Sequence, residues 1–323
     1  MPRILTLTLN PALDVSTAID RVEPVHKMRC GEPVQHPGGG GINVARVLHR
    51  LGADVTAIYP VGGATGEALT KLLQAEGVPA QVLQIEGETR ESFSVHEAST
   101  GQDWRFVLPG PTLSEAELQA CREALLTAVE GAEPARGGPP FRDTWVVASG
   151  GLPPGVSESC YADLALEVRA RGARFVIDTN GPALAQALAV GVDVFKPSLR
   201  ELRQLSGLPL SDEASQLAAA RQLIDQGQAR AVALSLGEQG AVLVTAEGAW
   251  RATALNVPVA STIGAGDSFV AGLVFGLAQG QAPQQAFAQA LATSAAALLS
   301  CGTSLADPAD VARLLPQVRV QPL

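Results

Sequence analysis

The sequence predicts an α/β fold in which helices cover a mostly parallel sheet. Strand-like and helix-like segments alternate through its second half: "TWVVASG", "SESCYADLALEVRARG", "ARFVIDTN", "DVFKPS", "LRELRQLSG", "EASQLAAARQLIDQG" and "ARAVALSLG". Such alternation is the signature of βα units. The length, 323 residues, and a hydrophobic content of 46% suffice for one large core. With only 4% aromatics, that core must be built from Ala, Val, Leu and Ile. Two stretches, about 12–37 and 90–107, break the alternation and predict a small β element apart from the main sheet, able to cover a cleft.

Taken in order, "RILTLTLN" alternates and stops at Asn-Pro, as a strand leaving the core does. "INVARVLHRLG" has helical spacing and a glycine stop. "DVTAIYPVG" reads as a strand. "TGEALTKLLQAEGV" reads as a helix with Thr65 as cap and Gly77 as stop. "TRESFSVHEA" and "QDWRFVLPG" read as strands joined around residues 99–101, followed by the helix "SEAELQACREALLTAVEGA". The Gly/Pro-rich segment 130–143 reads as a surface loop. "GAVLVTAEGAWRATAL" reads as a hairpin turning near Glu247-Gly248, and the C-terminal part as chiefly helical. No internal repeat is apparent, and the length allows one large core or a core with a smaller satellite domain.

The formal net charge is −9, which argues against nucleic-acid or membrane-surface partners because the global field repels polyanions. A small anionic substrate is still permitted where Arg and Lys gather locally. Cys30, Cys121, Cys160 and Cys301 are scattered, with no zinc-type spacing, and fit a reducing compartment better than disulfides. The N-terminus lacks the charged-then-apolar layout of a signal peptide, and no apolar run nears the roughly 20 residues that span a bilayer. A soluble cytoplasmic protein is expected.

The chemistry concentrates in two places. In "STIGAGDSF", Gly264, Ala265 and Gly266 precede an apolar helical run and Asp267 stands in its first turn. The carboxylate can cap the helix. Alternatively, the backbone N–H groups and helix dipole hold a phosphoryl group while Asp267 takes a proton from an alcohol. In "PGGGGINVA", glycines 38–41 remove every Cβ from one turn ahead of Asn43. That is either a flexible loop or a surface on which Gly39, Gly40 and Asn43 meet a polyol. No Walker A sequence occurs.

With "LTLNPALD", "PGGGGINVARVLHRLG", "SGGLPPG", "KPSLREL", "SLGEQGA", "STIGAGDSFVAG" and "ATSAAALLSCGTS" in this order, the chain resembles the ribokinase-like, phosphofructokinase B family of sugar kinases along nearly its whole length. The resemblance implies a single kinase domain over 1–323, a three-layer sandwich with a small β-sheet lid formed from about 12–37 and 90–107. It is greatest toward the branch acting on phosphorylated hexoses. That implies ATP-dependent phosphorylation of fructose 6-phosphate at its 1-hydroxyl, with 1-phosphofructokinase and tagatose-6-phosphate kinase activities as alternatives. Asp267 matches the catalytic base, and Gly264, Ala265 and Gly266 the anion hole. Asp14, Gly39, Gly40 and Asn43 match sugar-binding positions. Arg90, Lys27 and Arg29 match the phosphate neighbourhood, and Arg suits phosphate through its planar fork. Each of these cations, taken alone, is better read as a solvated surface charge. Lys196, Ser235, Gly237, Gln239 and Gly240 match positions near ATP, although "SLGEQGA" also reads as a plain turn.

Mg²⁺ is expected to neutralise the transferred charge. Glu201 holds the acidic place of the family's Asn-x-x-Glu motif, with Ser198 where the asparagine stands. Gly151 stands where relatives often carry a serine that contacts the sugar phosphate. The resemblance also implies a potassium ion held largely by backbone carbonyls at Ser261, Ile263, Ala297, Ser300, Gly302 and Ser304. It further implies a homodimer through the lid. Two other readings remain open: a kinase for a neutral sugar or nucleoside, and a non-catalytic sugar-phosphate sensor.

Overall fold

The structure, a computed structural model, describes residues 2–131 and 144–323. All but the first two residues of the 130–143 loop lie outside them. The strands are β1 (Arg3–Leu7), β2 (Ala12–Ile19), β3 (Val34–Gly38), β4 (Asp54–Val61), β5 (Ala80–Gln84), β6 (Arg90–Glu97), β7 (Gln102–Val107), β8 (Thr144–Ser149), β9 (Arg174–Asp178), β10 (Val192–Phe195), β11 (Ala229–Ser235), β12 (Ala241–Thr245), β13 (Gly248–Ala252) and β14 (Val320–Pro322). The helices are α1 (Gly40–Arg50), α2 (Gly63–Ala75), α3 (Glu115–Glu130), α4 (Cys160–Ala170), α5 (Gly181–Val190), α6 (Leu199–Ser206), α7 (Glu213–Asp225), α8 (Ala265–Ala278), α9 (Pro283–Leu298) and α10 (Pro308–Leu314).

Ten strands form the main sheet in the order β14-β13-β12-β11-β10-β9-β8-β1-β4-β5. From β5 to β11 every neighbouring pair is parallel; β12, β13 and β14 extend it antiparallel. Helices α1, α2, α8, α9 and α10 bury their apolar faces against one side. Helices α3 to α7 cover the other. This is the expected three-layer sandwich, with a core dominated by aliphatic residues. After β1 the chain winds first to β4 and β5 on one side, then to β8 and beyond on the other. The crevice at such a reversal, beyond the carboxyl ends of the strands, is where open α/β sheets bind ligands.

The second sheet has the order β3-β2-β6-β7 and is built from the two irregular stretches. Its register gives it two unlike faces. Asp14 pairs with Ser92, Ala12 with Arg90 and Ser94 with Arg105, so Asp14, Arg90 and Arg105 share one face. Phe93 pairs with Phe106 and Val95 with Trp104 on the other. Phe93, Trp104 and Phe106 are all exposed, Phe106 by 54%.

Two details differ from the sequence reading. Thr65 does not cap α2: the helix begins at Gly63 with Gly62 as cap, and the Thr65 backbone N–H donates instead to Glu88 Oε1 at 2.8 Å. β14 closes the far edge of the sheet in a region read as chiefly helical. No helix among the described residues is long and apolar enough to cross a membrane.

Candidate active site

Five parallel strands deliver polar groups to one crevice by ending there. β8 ends at Ser149, β9 at Asp178 and β11 at Ser235; Lys196 follows β10, and Thr8 follows β1. Helix α1 begins above them at Gly40. The four glycines are needed for close approach. A Cβ on Gly38 would lie 2.3 Å from the Asp14 carboxyl, and one on Gly40 would lie 2.2 Å from Ser149 Oγ. Gly39 adopts φ 112°, a conformation that L side chains rarely take. The run is therefore a fixed seam, not a loose loop, and it brings the second sheet down to the main one.

Asn43, in the first turns of α1, is buried and donates from Nδ2 to Asp267 Oδ2 at 2.9 Å. The two motifs at opposite ends of the chain thus meet. Gly264 takes the left-handed conformation, φ 75°, and α8 starts immediately after it. Asp267 stands in the first turn of α8, and its carboxylate accepts from Asn43 across the crevice. Burial raises its pKa to about 7, reinforced by Asp178 and Asp14 and opposed by Asn43 and Lys196. A carboxyl group poised near neutrality suits proton transfer.

The Lys196 ammonium sits 2.9 Å from Asp178 Oδ1. Burial disfavours its charge, but Asp178, Glu201 and Asp267 outweigh that and raise its pKa, so it stays a cation. A Cβ on Gly266 would stand 3.5 Å from Nζ, which places this cation beside the helix start. Ser149 Oγ lies 3.4 Å from Asp178 Oδ2, and Tyr161 and Thr179 hydroxyls both donate to the Gly150 carbonyl.

Asp14 is also perturbed, to a pKa of about 6, by burial against the opposing fields of Arg105, Arg90 and Arg46. Arg90 is anchored through its own donors: Nη2 to Asn10 O at 2.9 Å and Nη1 to Leu108 O at 3.1 Å. Lys27 and Arg29 are exposed between β2 and β3 and make no hydrogen bond or ion pair to a described residue, so the chain does not itself tie them to the crevice.

At the positions expected to border a nucleotide, Ser235 Oγ donates to Pro197 O at 3.2 Å, and Ser235 and Ser198 form a β-bridge. Gly237, Gln239 and Gly240 form the turn into β12, with Gly240 at φ 92° against Ala252 and Ala254. Ser198 and Glu201 form a capping box at the start of α6. Glu201 N–H donates to Ser198 Oγ at 3.3 Å, and Ser198 N–H to Glu201 Oε2 at 2.7 Å. That leaves Oε1 of Glu201 unengaged by the box. The carbonyl-bearing loops around Ser261 and Ile263 and from Ala297 through Ser300 and Gly302 to Ser304 are adjacent, joined by Ala260 N–H to Leu298 O at 2.7 Å. Ser304 O already accepts from Arg50 at 2.5 Å.

A crevice with an activated carboxyl, a cation beside a helix start and a glycine seam has the parts of a phosphotransferase. The sequence profile of the pfkB family carbohydrate kinases matches residues 8–310. The chain belongs to that family. This pfkB kinase is 45% identical over 312 residues to the ATP-dependent 6-phosphofructokinase isozyme 2 of Mycobacterium tuberculosis, covering 97% of this chain and 88% of that one. It superposes on phosphofructokinase-2 from Escherichia coli in complex with fructose-6-phosphate with TM-score 0.90 and 36% identity, over 98% and 99% of the two chains. Arabidopsis thaliana ribokinase, complexed with ribose and ATP, shares the fold: TM-score 0.74 at 18% identity, over 97% and 98% of the chains.

Three site features of this pfkB kinase escaped sequence reasoning. Arg105 sits in an alternating strand, where parity to Arg90 becomes visible only once the register is known. Asp178 closes "VIDTN", and a carboxylate ending a strand of a parallel sheet was a usable signal. Arg46 lies three residues after Asn43, a spacing that shares a helix face.

Proposed function

We propose that the chain is an ATP-dependent 6-phosphofructokinase that transfers the γ-phosphoryl group of ATP to the 1-hydroxyl of fructose 6-phosphate, giving fructose 1,6-bisphosphate. The observation that carries this is the 45% identity, across nearly the whole chain, to an enzyme of that name. The local chemistry agrees with it. Arg90 and Arg105 share a face with Asp14, a setting for a sugar with hydroxyls at one end and a phosphate at the other.

In this reading Asp14, Gly39, Gly40 and Asn43 orient the sugar hydroxyls, and Arg90 and Arg105 receive its phosphate. Lys27 and Arg29 add to that field from the neighbouring turn. Asp267, with Oδ2 held by Asn43, accepts the 1-hydroxyl proton through its other oxygen. The N–H groups at Gly264, Ala265 and Gly266, with the Lys196 ammonium, stabilise the phosphoryl group in transfer. Ser198, Ser235, Gly237, Gln239 and Gly240 border the nucleotide. The second sheet serves as a lid that excludes water.

No cluster of three or more His, Cys, Asp or Glu side chains fit to hold a metal occurs among the described residues. Mg²⁺ does not need one, since it keeps several waters and rides on substrate phosphates with one or two carboxylates. Glu201 and Asp178 flank Lys196 and fit that role through water. Bound there, the ion would neutralise charge on the phosphates. The 261–263 and 297–304 carbonyls fit a potassium ion, with Ser304 contributing its second lone pair. The exposed Phe93, Trp104 and Phe106 face suits burial against a second copy, giving a homodimer through the lid. A cytoplasmic location accords with such a role.

ADP release measured over a panel of acceptors tests the proposal. Fructose 6-phosphate should be turned over with the highest kcat/KM. Faster turnover of fructose 1-phosphate or tagatose 6-phosphate would overturn the acceptor and leave the kinase. Arg90→Ala should raise KM for the phosphosugar by about tenfold or more, the loss of one charge-assisted contact, and spare a dephosphorylated analogue.

A further inference from the structure

Among the described residues Arg46 is one of the largest fully buried side chains, and nothing in the phosphoryl-transfer reading uses it. A buried guanidinium is costly unless every donor is engaged. Here the donors are divided between Glu76 and groups at the edge of the active site. The two hydrogens of Nη1 serve Thr303 O at 2.9 Å and Pro37 O at 3.1 Å, and one of them is shared with Asn43 Oδ1 at 3.4 Å. Nε donates to Glu76 Oε1 at 2.9 Å, and Nη2 lies 2.6 Å from the same oxygen. Glu76, just beyond α2, also holds Arg50 through Oε2 at 2.8 Å, and Arg50 donates to Ser304 O and Ala306 O. One carboxylate thereby orients two arginines, one turn apart on α1. These arginines clamp the last glycine-seam strand, the 303–306 segment and the Asn43 amide together.

We infer that Arg46, fixed by Glu76, is a positioning residue for the catalytic base: it sets the polarity of the Asn43 amide so that Nδ2, not Oδ1, faces Asp267. An amide has one accepting and one donating end. With Oδ1 taken by a cation that cannot lose its proton, the donating end must point at the carboxylate. Without that constraint the amide can turn its oxygen toward Asp267, a contact only the protonated acid tolerates. The same clamp holds Leu305, whose side chain packs against Gly264 at the start of the anion-binding turn. Disturbing Glu76 should therefore be felt at the reacting centre through α1 and the Asn43 amide.

The charges acting on Asp267 are Asp178, Lys196 and Asp14; Glu76 is not among them. Those facing Arg46 are Glu76, Arg50 and Asp14, and His36 lies within the same field. An effect of Glu76 on the titration of Asp267 thus has to travel through Arg46 and Asn43.

The inference rests on Asp267 acting as the kinase base, so wild type and Asp267→Asn are measured beside Glu76→Gln and Arg46→Lys. The readouts are kcat and KM for fructose 6-phosphate and ATP against pH, with the folded fraction checked by circular dichroism. In Glu76→Gln and Arg46→Lys, kcat should fall about tenfold to a hundredfold, the scale of a misplaced catalytic group. KM for ATP should stay within about twofold, a small change in binding free energy, while KM for fructose 6-phosphate rises because the same Asn43 amide faces the sugar. The acid limb of the kcat profile should move to higher pH in both. Folded variants with a wild-type profile, or variants that differ only in stability, would overturn the positioning role while Asp267→Asn still lowers turnover by about 10²-fold or more. Failure of both variants to fold would overturn it too. A wild type that does not turn over, or an active Asp267→Asn, would sink the kinase-base reading and this inference together.

Discussion

Asn43 Nδ2 stands 2.9 Å from Asp267 Oδ2, a hydrogen bond between residues 224 apart in the chain. It joins the glycine seam to the helix start and leaves one carboxylate oxygen for an incoming hydroxyl. If that oxygen takes the proton, Asp267→Asn should lower kcat by about 10²-fold or more, the scale of general-base catalysis, with an unchanged circular dichroism spectrum. Single-turnover ADP release measures it. Wild-type turnover by the folded variant would remove the role.

The raised pKa of Asp267, about 7, makes two pH predictions. The base works ionised, so kcat should climb as pH rises through about 7 and then level off. Stability should run the other way. The folded pKa lies above the ordinary value of 3.8, so the folded state binds this proton more tightly than the unfolded chain does. That contribution is complete below about pH 4, an ordinary carboxyl pKa, and is withdrawn as pH rises through the folded value. Asp267→Asn should therefore raise stability at pH 8 by about 1–3 kcal/mol, allowing for the partial exposure of the carboxyl, and by far less at pH 4. Denaturant melts at the two pH values compare them. An equal shift at both would contradict the placement of the charge.

The fold was legible because its βα alternation is regular through the second half of the chain, and the two motifs because each is local and rich in glycine. What escaped notice has physical reasons. β5 is an edge strand with no fully buried residue, and β14 is three residues long, so neither has a strong apolar pattern. Thr65 looked like a cap because its residue type favours that position, yet a distant carboxylate, Glu88, claims its N–H. Arg105 and Arg90 belong to the same face only through a register set by pairing across two strands. The role of Arg46 was invisible for a deeper reason: a charged residue on a helix reads as solvent-facing until tertiary partners for its donors are seen.

The seam at Gly38 offers a test of Asp14. The backbone of Gly38 is not in the left-handed region, so alanine can adopt it without strain. Its methyl would fall 2.3 Å from the Asp14 carboxyl, which must swing away. Gly38→Ala should thus raise KM for fructose 6-phosphate about tenfold, the equivalent of roughly one lost hydrogen bond to a charged group. KM for ATP should hold. A normal sugar KM would show that Asp14 does not touch the acceptor.

Gly151 offers the opposite experiment, a gain. Nothing lies within 4 Å of where its Cβ would stand, and its φ falls outside the positive range taken by neighbouring Gly150. Serine therefore fits without strain on the exposed stretch after β8, next to the glycine whose carbonyl is fixed by Tyr161 and Thr179. The family resemblance implies a serine hydroxyl reaching the sugar phosphate from this position. Gly151→Ser should then lower KM for fructose 6-phosphate by about three- to tenfold, the worth of one hydrogen bond to a charged group in part exposed to water. Neither kcat nor KM for a dephosphorylated analogue should change. Initial rates over both acceptors decide it: an equal gain for the two would place the hydroxyl on the sugar ring, and no gain would place the phosphate beyond its reach.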